Sequence, residues 1–96
     1  MELNEAREQI DRIDTEMAKL FLQRMEAAGE VAAYKREHGL PVEDKTQEAR
    51  VIEAHSKQIE DPALRSLYIR FLENTIDLSK RRQYQLASDT QQENDL

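Results

Sequence analysis

The sequence predicts an all-α protein of three helices, one very long and two shorter, intertwined with a second copy of itself. Apolar residues recur at helical and heptad spacing along most of the 96 residues. There are only 2 Gly and 2 Pro, and Gly39, Pro41 and Pro62 stand at the seams between periodic runs. No strand-like alternation and no internal repeat competes with that pattern.

The first helix is expected to start near Asn4, a good N-cap residue, and to run to about His38, where Gly39 and Pro41 stop it. Within it Leu3, Ile10, Met17 and Val31 fall on one sevenfold series, and Ala6, Ile13, Leu20, Ala27 and Tyr34 on an interleaved one. Such a stripe seams one long helix against another. A helix of roughly 35 residues is about 50 Å long, whereas a compact domain near this size has a radius of gyration of only ~13 Å. One chain cannot cover that helix, so a homodimer is expected.

Gly39 to Asp44 reads as a loop. Asp44 opens a second helix, with Gln47 three residues on as a capping-box partner, and Glu48, Ile52, His55 and Ile59 follow on one face. Asp61-Pro62 is a cap followed by proline at the first helical position. The third helix carries Leu64, Leu67, Tyr68, Phe71, Leu72, Thr75 and Ile76, then Ser79 and Gln83 on the same side. From Ala87 the sequence has no apolar period. The expected division is therefore a helical domain over 1–86 and a polar, disordered tail over 87–96.

Composition narrows the function classes. With 14 Lys+Arg against 20 Asp+Glu the net charge is −6, which argues against general binding to nucleic acid. The content of 35% charged and 39% hydrophobic residues lies outside the disordered class, yet supplies a thin core for one chain. A lone domain of this size buries only about two-thirds of its unfolded surface. With no cysteine there is no disulfide, thiolate nucleophile or Cys-ligated metal, and a reducing compartment fits. The opening MELNEAREQIDRID is too charged for a signal peptide, and no apolar run approaches the ~18–20 residues of a membrane span. A soluble cytoplasmic protein is expected, with neither membrane nor nucleic-acid partner.

Several residues break the bland pattern. Arg24 occupies a heptad position between Met17 and Val31, where a charge is costly unless it is paired or reaches solvent. It either snorkels, pairs with a glutamate or waits for an anion. Lys35 lies eleven residues on, almost three full turns, so both cations point to nearly the same side ~16 Å apart. Ser79 and Gln83, four apart on an apolar face, are either a helix end turning polar or part of a binding site. Asp44 and Glu48, also four apart, read as a cap with a surface carboxylate, or as a carboxylate pair without the His that would strengthen a metal assignment. His38 and His55 have no partners at ligand spacing and read as structural or surface residues. Lys80-Arg81-Arg82 is a basic cluster near a helix end, favourable with the dipole and too short for a nucleic-acid site. Spacing alone therefore yields a helical dimer with cations and uncharged polar groups on apolar faces, a combination suited to a small anion.

Four stretches in order resemble the all-helical (type II) chorismate mutase family: Ala6-Arg7-Glu8-Gln9-Ile10-Asp11-Arg12-Ile13-Asp14; Arg24-Met25-Glu26 with Val31-Ala32-Ala33-Tyr34-Lys35; Gly39-Leu40-Pro41-Val42 leading to Asp44 and Gln47-Glu48; and Phe71 through Ile76-Asp77-Leu78-Ser79-Lys80 to Gln83. The resemblance covers roughly residues 3–84. It implies a cofactor-free, metal-free enzyme of aromatic amino-acid synthesis that rearranges chorismate to prephenate. By the same resemblance Arg7 and Arg24 bind the two substrate carboxylates, while Lys35 contacts the ether oxygen and a carboxylate. Gln83 is the second donor to the ether oxygen, and Ser79 a further carboxylate contact. Asp44, through its backbone, and Glu48 hold the ring hydroxyl. Arg7 and Arg24 are ~25 Å apart along one helix, too far to grip one small molecule. The implied site therefore takes Arg7 from an antiparallel partner, giving two equivalent shared sites.

One position departs from the family pattern. Gln47 stands where an arginine normally precedes the glutamate, which supplies a hydrogen bond without the charge. A functional but weaker site is expected. The alternatives are an isochorismate pyruvate lyase, which shares the fold and the cation set, and a weakly active helical dimer with a regulatory or partner-binding role. With no further domain within these residues, an unregulated, monofunctional enzyme is the simple expectation.

Overall fold

In a computed structural model the backbone is described for residues 2–95 and the side chains as far as residue 88. Three helices follow in order, α1 over Leu3–Glu37, α2 over Lys45–Ser56 and α3 over Pro62–Asp95. The helix that opens the chain starts two residues earlier in its capping than the sequence suggests: Glu2, not Asn4, is the N-cap, and its side chain caps nothing. Asn4 lies inside the helix, so its capping oxygen has no role there.

The end of α1 is sharply defined. Gly39 has φ +65°, and its N–H donates to the Arg36 carbonyl at 3.4 Å, while the Leu40 N–H reaches the Lys35 carbonyl at 2.7 Å. These are the paired bonds of a Schellman stop, which a Cβ-bearing residue at that φ would strain. At α2 the Asp44 carboxylate accepts the Gln47 N–H at 3.1 Å, as the spacing implied. The reciprocal bond does not come from Gln47, however. Glu48 reaches back, its Oε2 accepting the Asp44 N–H at 3.2 Å. At α3 Asp61 caps the N–H groups of Ala63 at 2.8 Å and Leu64 at 3.2 Å, with Pro62 in the first turn.

α3 is the hub, packed on both α1 and α2. Small residues let α1 and α3 come close: Ala28 and Ala32 are buried against a face that includes Leu72 and Ile76. At Gly29 an added Cβ would stand 3.3 Å from the Leu86 Cδ1, so this helical glycine marks a tight crossing. The apolar residues of α3, grouped on one side by spacing, divide between two. Leu72, Ile76, Ser79 and Gln83 are buried, whereas Leu64, Leu67 and Phe71 are exposed.

The chain is long and thin, 57 × 29 × 14 Å with a radius of gyration of 17.1 Å. That exceeds the ~13 Å expected of a compact chain near this length. The heptad residues Leu3, Ile10, Ile13, Met17 and Leu20 are between 44% and 63% exposed. The N-terminal half of α1 is thus an apolar seam without a cover in one chain. The segment from Ala87, expected to lack structure, instead continues the α3 backbone as helix to Asp95. No Gly or Pro breaks it, and the missing apolar face concerns packing rather than backbone conformation. Among the described residues no helix is long and apolar enough to cross a membrane.

Candidate functional site

A cleft of about 360 Å³ opens where all three helices meet. From α1 it takes Arg24, Ala27, Ala28, Val31 and Lys35, a stripe that follows the helical repeat. From the 39–44 loop and α2 come Val42, Asp44, Gln47, Glu48 and Val51, and from α3 Ile76, Ser79, Lys80 and Gln83. The valines, alanines and Ile76 make apolar walls, so the polar groups sit in surroundings that strengthen their electrostatics.

Arg24 does not pair with a glutamate. Its Nη1 donates to the Ser79 Oγ, and Ser79 donates its own proton to the Thr75 carbonyl at 3.0 Å. The hydroxyl is therefore spent in orienting the guanidinium. To donate to a carboxylate Ser79 must release Thr75. Lys35 donates to the Val42 carbonyl at 2.7 Å, tying the end of α1 to the loop, and an ammonium group keeps two further protons for a ligand. Neither Arg24 nor Lys35 forms a salt bridge with a carboxylate among the described residues. Two half-buried positive charges without counter-ions among the described residues are costly in a folded chain and suit an anionic ligand.

Gln83 is 7% exposed, and its Oε1 is buried without a hydrogen-bond partner. An unsatisfied buried polar atom costs ~1–3 kcal/mol, so the amide is poised for something in the cleft. Turning the amide by half a rotation brings the Nε2 donor to the same place.

The opposite wall is acidic. Asp44 is occupied by its cap, and Glu48 is gripped from two sides, its Oε1 by the Lys80 Nζ at 2.9 Å and its Oε2 by the Asp44 N–H. Glu43 joins from the loop, with Lys45 at 3.1 Å and Lys80 at 3.4 Å. These cations, Lys45 first and then Lys80, hold the Glu43 carboxyl below its ordinary value of 4.5. The hydrogen bond to Glu48, then that to Glu43, holds the Lys80 ammonium above its ordinary 10.5.

Seven of the residues singled out by sequence thus meet in one cleft: Arg24, Lys35, Asp44, Gln47, Glu48, Ser79 and Gln83. Arg7 does not. It is exposed on the uncovered half of α1 and lines no part of the cleft in its own chain. Lys80 belongs there and was hidden in the Lys80-Arg81-Arg82 cluster. Its place four residues after Ile76 and three before Gln83 is the signal that separates it from its exposed neighbours. His55 is exposed, and His38 stacks on Tyr34 with ring centroids 3.9 Å apart, both away from the cleft. A second groove, about 720 Å³ between α1 and α3, is lined mainly by Phe21, Leu22, Met25, Leu78 and Leu86, with Arg81 and Arg82 exposed at its rim.

A family profile described as chorismate mutase type II matches residues 6–84. The chain is also similar to the T-protein of Haemophilus influenzae, at 33% identity over 58 residues. That alignment takes in 60% of this chain but 15% of the T-protein, so the chain corresponds to a small part of that relative's length. No solved structure matches.

Proposed function

The chain belongs to the chorismate mutase type II family, and from that premise we propose that it rearranges chorismate to prephenate as a homodimer with two shared sites. The observation that carries this reading is the convergence of Arg24, Lys35 and the unsatisfied amide of Gln83 on one apolar-walled cleft. Chorismate offers two carboxylates, an ether oxygen and a ring hydroxyl. Those groups call for cations, neutral or cationic donors and an acceptor, and the cleft has each on a separate wall.

The reaction is an intramolecular Claisen rearrangement. The ether C–O bond breaks as a C–C bond forms, electrons moving around a six-atom ring, with no proton transferred. The protein therefore has two tasks. Cations on the carboxylates hold the flexible side chain over the ring in its reactive conformer. Lys35 and Gln83 stabilise the negative charge that grows on the ether oxygen, a contribution larger in the transition state than in the ground state. Glu48 accepts the ring hydroxyl and fixes which way round the substrate lies, with the Asp44 backbone beside it.

Arg24 and Lys35 serve one end of the substrate, and a further cation is needed for the second carboxylate. Arg7, on the exposed apolar half of α1, meets that need when an antiparallel partner lays its own α1 along this one. The same pairing covers the heptad seam. The test is to mix the purified chain with chorismate, follow the loss of its ultraviolet absorbance and identify the product by chromatography. Conversion to prephenate is expected. A folded dimer that leaves chorismate unchanged would overturn the reading in favour of a binding module, and release of pyruvate from isochorismate in its place would mark a lyase.

A further inference from the structure

Lys80 lines the cleft, yet the proposed reaction gives it no part. Its Nζ donates to Glu48 at 2.9 Å and to Glu43 at 3.4 Å, and the side chains of Lys80 and Glu48 are each only 20% exposed. Glu48 is also held from behind, where its other oxygen accepts the Asp44 backbone N–H at 3.2 Å. A glutamate on an open helix surface samples many rotamers. Here both oxygens are pinned by donors from different elements, a side chain on α3 and the backbone at the start of α2. Each pinned oxygen keeps further acceptor capacity, because a carboxylate offers about four lone-pair directions.

We propose that Lys80 is a positioning residue for the hydroxyl-recognising wall of the cleft: it locks Glu48 as an acceptor at one fixed place, so that the substrate's ring hydroxyl meets a preorganised oxygen. The proposal rests on the chorismate mutase reading and names a residue to which that reading assigns no role. The ring hydroxyl takes no part in the bonds that change, so an analogue without it still rearranges and does not need the Glu48 acceptor. Lys80 should therefore matter to chorismate and not to the deoxy analogue. Because the hydroxyl contact is made in ground state and transition state alike, its loss falls on KM rather than kcat.

The experiment measures kcat and KM for chorismate and for the analogue lacking the ring hydroxyl, in the full chain and in Lys80→Met and Lys80→Arg. Lys80→Met is expected to raise KM for chorismate about tenfold, the size of a coupling between residues in direct contact, with kcat within about threefold. For the deoxy analogue both constants stay within about threefold, and Lys80→Arg recovers most of the loss. Melting curves confirm that each variant is folded. Should Lys80→Met fail to fold, Lys80→Gln, which keeps a donor and drops the charge, is read in the same way. An equal penalty on both substrates makes Lys80 a strut between α2 and α3 and overturns the proposal, as does no penalty on either. An unmodified chain that folds but leaves chorismate untouched overturns the functional reading, and this proposal with it.

Discussion

Lys35 faces the cleft while donating to the Val42 carbonyl at 2.7 Å, so its replacement removes the proposed catalytic donor and a loop tether together. The tether is an ordinary hydrogen bond worth about 1 kcal/mol. The donor to a developing oxyanion is worth more, and Lys35→Ala should lose ~3–5 kcal/mol of transition-state stabilisation, several powers of ten in rate. Measuring Tm beside kcat/KM separates the two effects, and a rate loss of tenfold or less removes Lys35 from the mechanism. Gln47 is exposed at the lip of the same cleft, its side chain without a hydrogen bond among the described residues. Gln47→Arg adds a positive charge where the family carries one, and should raise kcat/KM for chorismate. An unchanged or lower value would mean that the anion end of the substrate lies out of its reach. Arg24 was legible in the sequence because a charge on an apolar heptad position demands a reason, and Ser79 and Gln83 because polar groups on a buried face do too. Lys80 was not, because two exposed arginines follow it and a run of three cations looks like a solvated surface. Its spacing from Ile76 and Gln83 is the signal that the run of cations masks, and the packing of α3 shows that its side chain turns inward.

At the scale of the elements, loop and cap chemistry was the most readable part of the chain. Asp61 accepts two backbone N–H groups at the start of α3, and Arg65 folds back to the Ile59 carbonyl at 2.7 Å, so the turn is closed from both sides. Asp61→Ala should cost about 1 kcal/mol in chemical denaturation, and an unchanged midpoint would show the cap to be idle. Less readable were ends with no such chemistry. Glu2 starts α1 without a side-chain capping bond, and the α3 backbone runs on through Asp95, where the sequence carries no stop signal. The latch between α2 and α3 has a pH signature. The Glu43 carboxyl lies below 4.5, so its pairing stabilises the fold fully above that value and is lost as pH falls through the lower folded value. The Lys80 ammonium lies above 10.5, so its share is present below that value and is lost only as pH rises past the raised one. The latch is thus intact throughout the neutral range. Glu43→Gln should lower Tm near neutrality and flatten part of its decline below about pH 4.5. An acid decline identical to that of the unmodified chain would remove Glu43 from the latch.

At the scale of the whole molecule, the proposed homodimer accounts for two features that one chain leaves open. A 57 Å rod that leaves Ile10, Ile13, Met17 and Leu20 open to water has not finished burying its apolar surface. The cleft, likewise, holds Arg24 but not Arg7. Heptad spacing and helix length forecast this incompleteness, since neither depends on knowing the partner. The geometry of the pairing was beyond both, because an apolar stripe fixes no direction. Complementation decides it. If each site joins Arg24 of one chain to Arg7 of its partner, Arg7→Ala and Arg24→Ala are each inactive as homodimers. A mixed dimer then contains one site with both arginines and one with neither. Unfolding the two variants together and refolding them gives half the dimers mixed, and so about one quarter of the original activity. The recovery should appear only after chains have exchanged, and refolding either variant alone should yield none. Were Arg7 to act within its own chain, every site in the mixture would lack one arginine, and the activity would remain at the level of the single variants.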